Sequence, residues 1–189
     1  MSLLPIYNCF NPVLKKKTEK VEHIDENLKK LVENMFETMY NADGIGLAAN
    51  QVGVSKSLVI IDISRNDNFK NQPPLVLINP EIITFSEEKD EFLEGCLSIP
   101  NFYETVDRPE AIEIKFYDLN MKEHKIEAND LLARVMQHEI DHLNGILFFE
   151  RLSPIKKTLA KSKLKKIKNG QVDAKYEMVN PDGRLYIPK

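Results

Sequence analysis

This chain of 189 residues has no tryptophan, two cysteines and four histidines. Each scarcity narrows what the chain can be. Two cysteines, Cys9 and Cys96, are too few to staple a small secreted scaffold, and with no secretory leader they read as free thiols. No apolar run approaches the roughly 18 to 20 residues that span a bilayer. The start, "MSLLPIYNCFNP", lacks the basic region and apolar core of a signal peptide. The expectation is a soluble cytoplasmic protein with no membrane partner. Charge of one sign is also lacking: 26 basic and 29 acidic residues leave a net charge of −3 and a pI near 5.9. Bulk charge therefore argues against a DNA-binding protein. There are no repeats and no low-complexity segments. With 42% hydrophobic residues, the length suits one well-buried core and is short for two.

The apolar pattern is that of an α+β protein. In "ENLKKLVENMFETMYNADG" Leu28, Leu31, Val32, Met35, Phe36, Met39 and Tyr40 recur at three and four, which predicts an amphipathic helix ending near Ala42, before Gly44. "SLVIIDIS" (57–64) and "LVLINPEII" (75–83) are short β-branched runs divided by a polar loop, and both predict strands. "AIEIKFYD" (111–118) alternates Ile112, Ile114 and Phe116 with Glu113, Lys115 and Tyr117, and "HKIEA" after the turn at Asn120 is its expected antiparallel partner. "NDLLARVMQHEIDHLNG" returns to helical spacing, with Asn129 or Asp130 to cap it and Gly145 to end it.

Within that last helix, "QHEIDHLNG" places His138 and His142 four residues apart, one turn along a single face, in line with Leu131 and Val135. Two core histidines satisfied by hydrogen bonds would be the plain reading of such a pair. Two buried neutral rings each need a partner for a ring nitrogen, however, and a divalent cation satisfies both at once. His-Glu-x-x-His on a helix is also a metal-hydrolase arrangement, with the Glu as general base. A catalytic site of this kind needs a third protein ligand. Extended zinc endopeptidases supply a downstream histidine, but Gly145 is followed at that position by Phe148. Upstream, His23 precedes the first helix among charged residues and His124 is read as lying in a polar turn, and both suit the surface. Cys96, in "EFLEGCLSIP", has a glycine before it and Phe92, Leu93, Leu97 and Ile99 around it, which suggests burial. An inert buried thiol is the ordinary role of such a cysteine. Beside a histidine pair short of one ligand, thiolate coordination is the better reading.

"DGIGLAANQVG" (43–53) formally satisfies a dinucleotide-binding glycine fingerprint through Gly44, Gly46 and Ala49. Its context excludes that role, because it follows a helix and leads into a strand. Either it is a small-residue turn for close packing, or it brings backbone to a ligand with Gln51 placed as a donor to an oxyanion.

Taken together, "GIGLAANQVG", "EGCLSIP" and "QHEIDHLNG", in this order and spacing, resemble the three signature motifs of the peptide deformylases. "NPVLKK", "LVENMFETMY", "LVLINPEI" and "ILFFERLSPIKK" extend the likeness over roughly residues 3 to 165. The resemblance implies an α+β fold of antiparallel sheets packed around a central helix carrying His-Glu-x-x-His. It implies removal of the formyl group from the N-terminal formylmethionine of new polypeptides. Cys96, His138 and His142 would be the metal ligands, Glu139 the general acid/base, and Gln51 with the Leu97 N–H the oxyanion donors. Gly44, Ile45 and Gly46 would contact substrate, with Ile45, Leu131 and Val135 walling the methionine slot. The metal implied is Fe²⁺, for which Zn²⁺, Ni²⁺ or Co²⁺ can substitute. With no transit peptide visible, a bacterial cytoplasm is the implied location.

Some residues depart from the family pattern. Arg134 stands four before His138, where some relatives are apolar, and Asn101 follows Pro100 where glycine is frequent. Residues 1–169 are expected to form the catalytic domain, including a basic C-terminal helix, and 170–189 an extension folded as a small hairpin. Segment 156–168 carries seven lysines and no acid. It reads either as a solvated helix with Leu159, Leu164 and Ile167 packed on the body, or as a ribosome contact near the exit of the nascent chain. The protein is expected to be a monomer. Two further readings remain at this point: a zinc metallopeptidase, and a non-catalytic ribosome-associated homologue.

Overall fold

A computed structural model describes residues 2–171 and 173–188. After β1 (Ile6–Tyr7), the first amphipathic stretch forms α1 (Glu26–Asn41), started by Asp25, whose side chain accepts the Leu28 N–H at 2.8 Å. The helix ends at Ala42, and Asp43 (φ 55) turns the chain away in the left-handed region. Next come β2 (Gly46–Ala48), a 3-10 turn over Ala49–Val52, β3 (Leu58–Ile61) and β4 (Leu75–Phe85). Two hairpins follow, β5 (Lys89–Cys96) with β6 (Ile99–Pro109), and β7 (Ala111–Tyr117) with β8 (Glu123–Asn129). The second runs directly into α2 (Asp130–Leu143), and α3 (Pro154–Lys168), β9 (Met178–Val179) and β10 (Leu185–Tyr186) complete the order.

The main sheet is antiparallel throughout, in the order β2-β3-β4-β7-β8. Its second strand explains the uninterrupted apolar run in the sequence. Val59 and Ile61 join the cluster around Ala133, Met136 and Ile140 of α2, while Leu58 and Ile60 join Val32, Met35 and Met39 of α1. A strand covered on both faces has no polar side to alternate with. β7 has one half-exposed face, and there the alternation is clean. A third cluster, containing Ile99, Phe102, Phe148 and Ile167, lies between β6 and α3.

Three expectations are corrected. Asn129 occupies the N-cap position of α2 but makes no side-chain capping bond, because it is still paired with Ala111 in the β7–β8 ladder; Asp130 takes the bend from strand to helix at φ 51. His124 lies within β8 rather than in the turn, half-exposed, stacked on Phe116 and bonded to Asp118 at 2.8 Å. On α3 the inward stripe is Ala160, Leu164 and Ile167, spaced by four and three, which leaves Leu159 75% exposed. β9 pairs antiparallel with β10 across the turn in "NPDG", and pairing that the sequence pattern did not signal joins this hairpin to the other end of the chain: β9 runs parallel to β1, with Ile6 opposite Met178 and Tyr7 opposite Val179.

Candidate active site

α2 lies against the main sheet, and the face it turns toward β5 carries the two histidines. The rings of His138 and His142 stand 5.1 Å apart, tilted by 70°. Cys96, the last residue of β5, brings Sγ to 3.2 Å from His142 Nε2. One donor atom from each of Cys96, His138 and His142 lies within 4.8 Å of the others. Ligand atoms around a tetrahedral zinc-sized cation sit about 3.4–3.6 Å apart, so the cluster fits such an ion.

The orientation of His138 is set from behind. Its Nδ1 donates to Glu94 Oε2 at 2.9 Å, which leaves Nε2 free for the cluster. Glu94 also accepts from Arg108 Nε (2.7 Å) and Nη2 (3.0 Å) and from Arg134 Nη1 (3.0 Å). Arg108 continues to Asp141 at 2.6 Å, and Asp141 in turn accepts from Arg151. Burial alone would raise the Glu94 pKa, but the bonds from His138 and Arg108 outweigh it and hold the carboxyl well below the usual range. Burial opposes a charge on His138 too, yet its contacts with Cys96 and Glu94 carry the ring up to about 10. On His142 burial and the neighbouring His138 act in the same direction, keeping the ring neutral. A cation entering the site must therefore displace a proton.

Glu139 is 5% exposed, and burial pushes it up to about 7, near the value at which a carboxyl both takes and gives a proton at neutral pH. Its Oε2 has no protein partner, and neither has Nδ1 of His142. Gly46 lies directly against it: a Cβ there would come within 2.6 Å of Glu139 Oε1. Gln51 is 1% exposed, with Oε1 accepting the Ala48 N–H at 2.8 Å. That bond turns Nε2 toward the site, 3.2 Å from Ser98 Oγ and 3.6 Å from Cys96 Sγ.

A cavity of about 480 Å³ opens over this cluster. Gly44, Ile45, Gly46, Gln51, Cys96 and Leu97 line it, as do Leu131, Val135, His138 and Glu139. His142 sits behind the wall, 1% exposed. Every site residue singled out in the sequence is thus in one place. The surroundings of Cys96 are less closed than expected, since Cys96 is half-buried and Leu93 points away, 70% exposed. Arg134 does not enter the apolar slot as a free charge; its guanidinium is engaged by Glu94, by the Val106 and Asp90 carbonyls and by the ring of Phe92. The sequence reading missed Glu94, Asp141 and Ser98. A carboxylate behind a metal-binding histidine is a standing requirement, and Glu94, two before Cys96 on one strand, was the candidate to test.

The sequence matches the polypeptide deformylase family model over residues 3–158. The chain belongs to the polypeptide deformylase family. It is 51% identical over 165 residues to the peptide deformylase of Thermodesulfovibrio yellowstonii, covering 87% of this chain and 98% of that one. With the peptide deformylase of Salinibacter ruber the identity is 43% over 187 residues, covering 95% of this chain and 96% of the other, so the likeness reaches into the C-terminal tail. The crystal structure of a peptide deformylase from Legionella pneumophila superposes with a TM-score of 0.80 at 43% identity, over 90% of this chain and 98% of that chain. The α+β deformylase fold expected from the motifs is the fold observed.

Proposed function

We propose that the protein is a metal-dependent hydrolase that removes the formyl group from the N-terminal formylmethionine of newly synthesised polypeptides, releasing formate. The observation that carries this reading is the meeting of Cys96, His138 and His142 at the base of a cleft, beside a buried carboxyl with an unpartnered oxygen. In this reading the three residues hold Fe²⁺, or Zn²⁺, Ni²⁺ or Co²⁺ in its place, and the cation supplies Lewis acidity toward water and the formyl oxygen. Glu139 takes the proton of the attacking water and returns it to the leaving amine. Gln51 Nε2 and the Leu97 N–H donate to the oxygen as it gains charge. Gly44 and Gly46 leave backbone bare for the peptide, and Ile45, Leu131 and Val135 wall an apolar slot for the methionine side chain. The formyl carbon carries only hydrogen, so a crowded site admits it and rejects bulkier acyl groups.

The peptidase alternative loses its footing at Phe148. That residue stands where a third histidine would be needed, and it is 1% exposed with its ring 5.8 Å from that of His138. A protein that had given up catalysis would have no use for Glu139 in so costly a setting. The partners in this reading are N-formylmethionyl nascent chains, met by a monomer in a bacterial cytoplasm. Among the described residues no helix is long and apolar enough to cross a membrane. The ribosome contact falls to α3, which presents Lys157, Lys161, Lys165 and Lys168 to solvent together with Ile155 and Leu159.

The test is formate release from a short N-formylmethionyl peptide by protein purified without oxygen, with Glu139→Ala alongside. Release by the parent and its loss in the variant, with metal content equal, is the expected result. A metal-filled parent that releases no formate refutes the reading.

A further inference from the structure

Leu97 and Ser98 form a two-residue turn between the paired Cys96 and Ile99, outside the β5–β6 ladder. A turn of this kind is weak support for a backbone donor whose direction matters to catalysis. The structure holds it from three sides. The Cys9 N–H donates to the Ser98 carbonyl at 2.9 Å, and Gln51 Nε2 to the Ser98 hydroxyl at 3.2 Å. The third tie comes from outside the stretch matched by the family model: the Tyr176 hydroxyl donates to the Leu97 carbonyl at 2.7 Å.

The segment bearing Tyr176 is itself well anchored. Ala174 and Met178 are buried, and the strand after Tyr176 pairs with β1. Asn101, in the left-handed region at φ 57, donates Nδ2 to the Asp173 carbonyl at 2.6 Å, which joins the rim of the cleft to the tail. Tyr176 and Ala174 line the same cavity as Glu139.

We infer that Tyr176 is a positioning residue for deformylation: its hydroxyl fixes the Leu97–Ser98 peptide, and through it the aim of the Leu97 N–H, while its ring closes one end of the substrate cleft. The inference rests on the hydrolase reading given above. An oxyanion donor acts in the transition state and not in the bound ground state, so loosening it lowers kcat and leaves KM in place.

The experiment is Tyr176→Phe in the full-length, metal-loaded protein, assayed for formate release with metal content and folded fraction measured on the same sample. The expected kcat is about 3- to 10-fold below the parent, the range of one lost hydrogen bond, with KM, metal content and folded fraction unchanged. Tyr176→Leu, which also removes the ring, should show the same loss in kcat and a raised KM. A Phe variant with the parent's kcat overturns the inference, as does a loss that disappears once rates are expressed per bound metal. If the parent itself releases no formate, the hydrolase reading fails and this inference with it; if the parent is active and Tyr176→Phe equals it, only the role of Tyr176 falls.

Discussion

Glu94→Gln tests the framework behind the metal site. The carboxylate is 5% exposed and accepts four hydrogen bonds, two from Arg108, one from Arg134 and one from His138. With Asp141 it offsets the buried charges of Arg108 and Arg134 and the exposed one of Arg151. Glutamine keeps the shape but removes the charge and turns a donor toward donors, leaving Arg108 to share Asp141 with Arg151 and Arg134 with backbone carbonyls and no carboxylate. Breaking one side of a buried ion pair costs about 3–5 kcal/mol. At a urea slope of about 2 kcal/mol per molar, the midpoint should fall by about 1.5–2.5 M. Metal affinity should drop about 10- to 100-fold, because His138 loses the carboxylate that fixes its ring and tautomer. Acid dependence gives an independent check. The folded-state pKa of Glu94 is depressed below its unfolded value of about 4.3. Its contribution is therefore complete above the unfolded value and is lost as pH falls toward the folded one. The gap in stability between parent and Glu94→Gln should narrow steadily below about pH 4. Urea titrations at neutral and acid pH, run with chelator so that metal release does not contribute, read this directly, and a competing chelator indicator reads the affinity. A variant within about 1 kcal/mol of the parent and equal in metal affinity would refute the reasoning, since surface pairs already reach that figure.

Gly46→Ala places a Cβ 2.6 Å from Glu139 Oε1 and 2.9 Å from Val135 Cγ1; a stability loss of about 1–3 kcal/mol and a kcat at least about tenfold lower are expected, and a fully active, equally stable variant would contradict the packing described. Stripping the metal should lower the thermal midpoint reversibly, by an amount equivalent to about 2.7 kcal/mol when free metal stands at 100 times its Kd; a melting curve indifferent to chelator would separate the cluster from metal binding. Reversing Lys161 and Lys165 to glutamate, both exposed on α3, should weaken ribosome co-sedimentation and its salt dependence while free-peptide turnover stays at the parent's value; unchanged co-sedimentation ends the docking role.

Much of the site was legible because its chemistry is written in short spacings. His138 and His142 share a face by helical geometry alone, and a cysteine in an apolar setting was the residue left to complete them. What stayed hidden depends on strands whose pattern is masked. β5 turns Phe92 and Glu94 inward, and a buried charge in an inward position breaks the alternation by which strands are recognised. Arg108, Arg134 and Asp141 look like surface charges in a sequence, since only tertiary pairing makes their burial tolerable. Tyr176 was invisible for another reason: its partner is a backbone carbonyl 79 residues away, and a carbonyl has no sequence signature.

The parallel pairing of Ile6 with Met178 bears on the order of events during synthesis. A ribosome delivers residue 6 long before residue 178, and a contact of such high sequence separation forms late and slowly. The helix and hairpins that carry the metal ligands can assemble while the chain is still growing. The Leu97–Ser98 turn that follows Cys96 receives its Tyr176 tie only after the tail emerges. In such a protein the metal-binding cluster can precede the finished catalytic cleft, and a fusion placed on the C-terminal side would act on catalysis before it acted on folding.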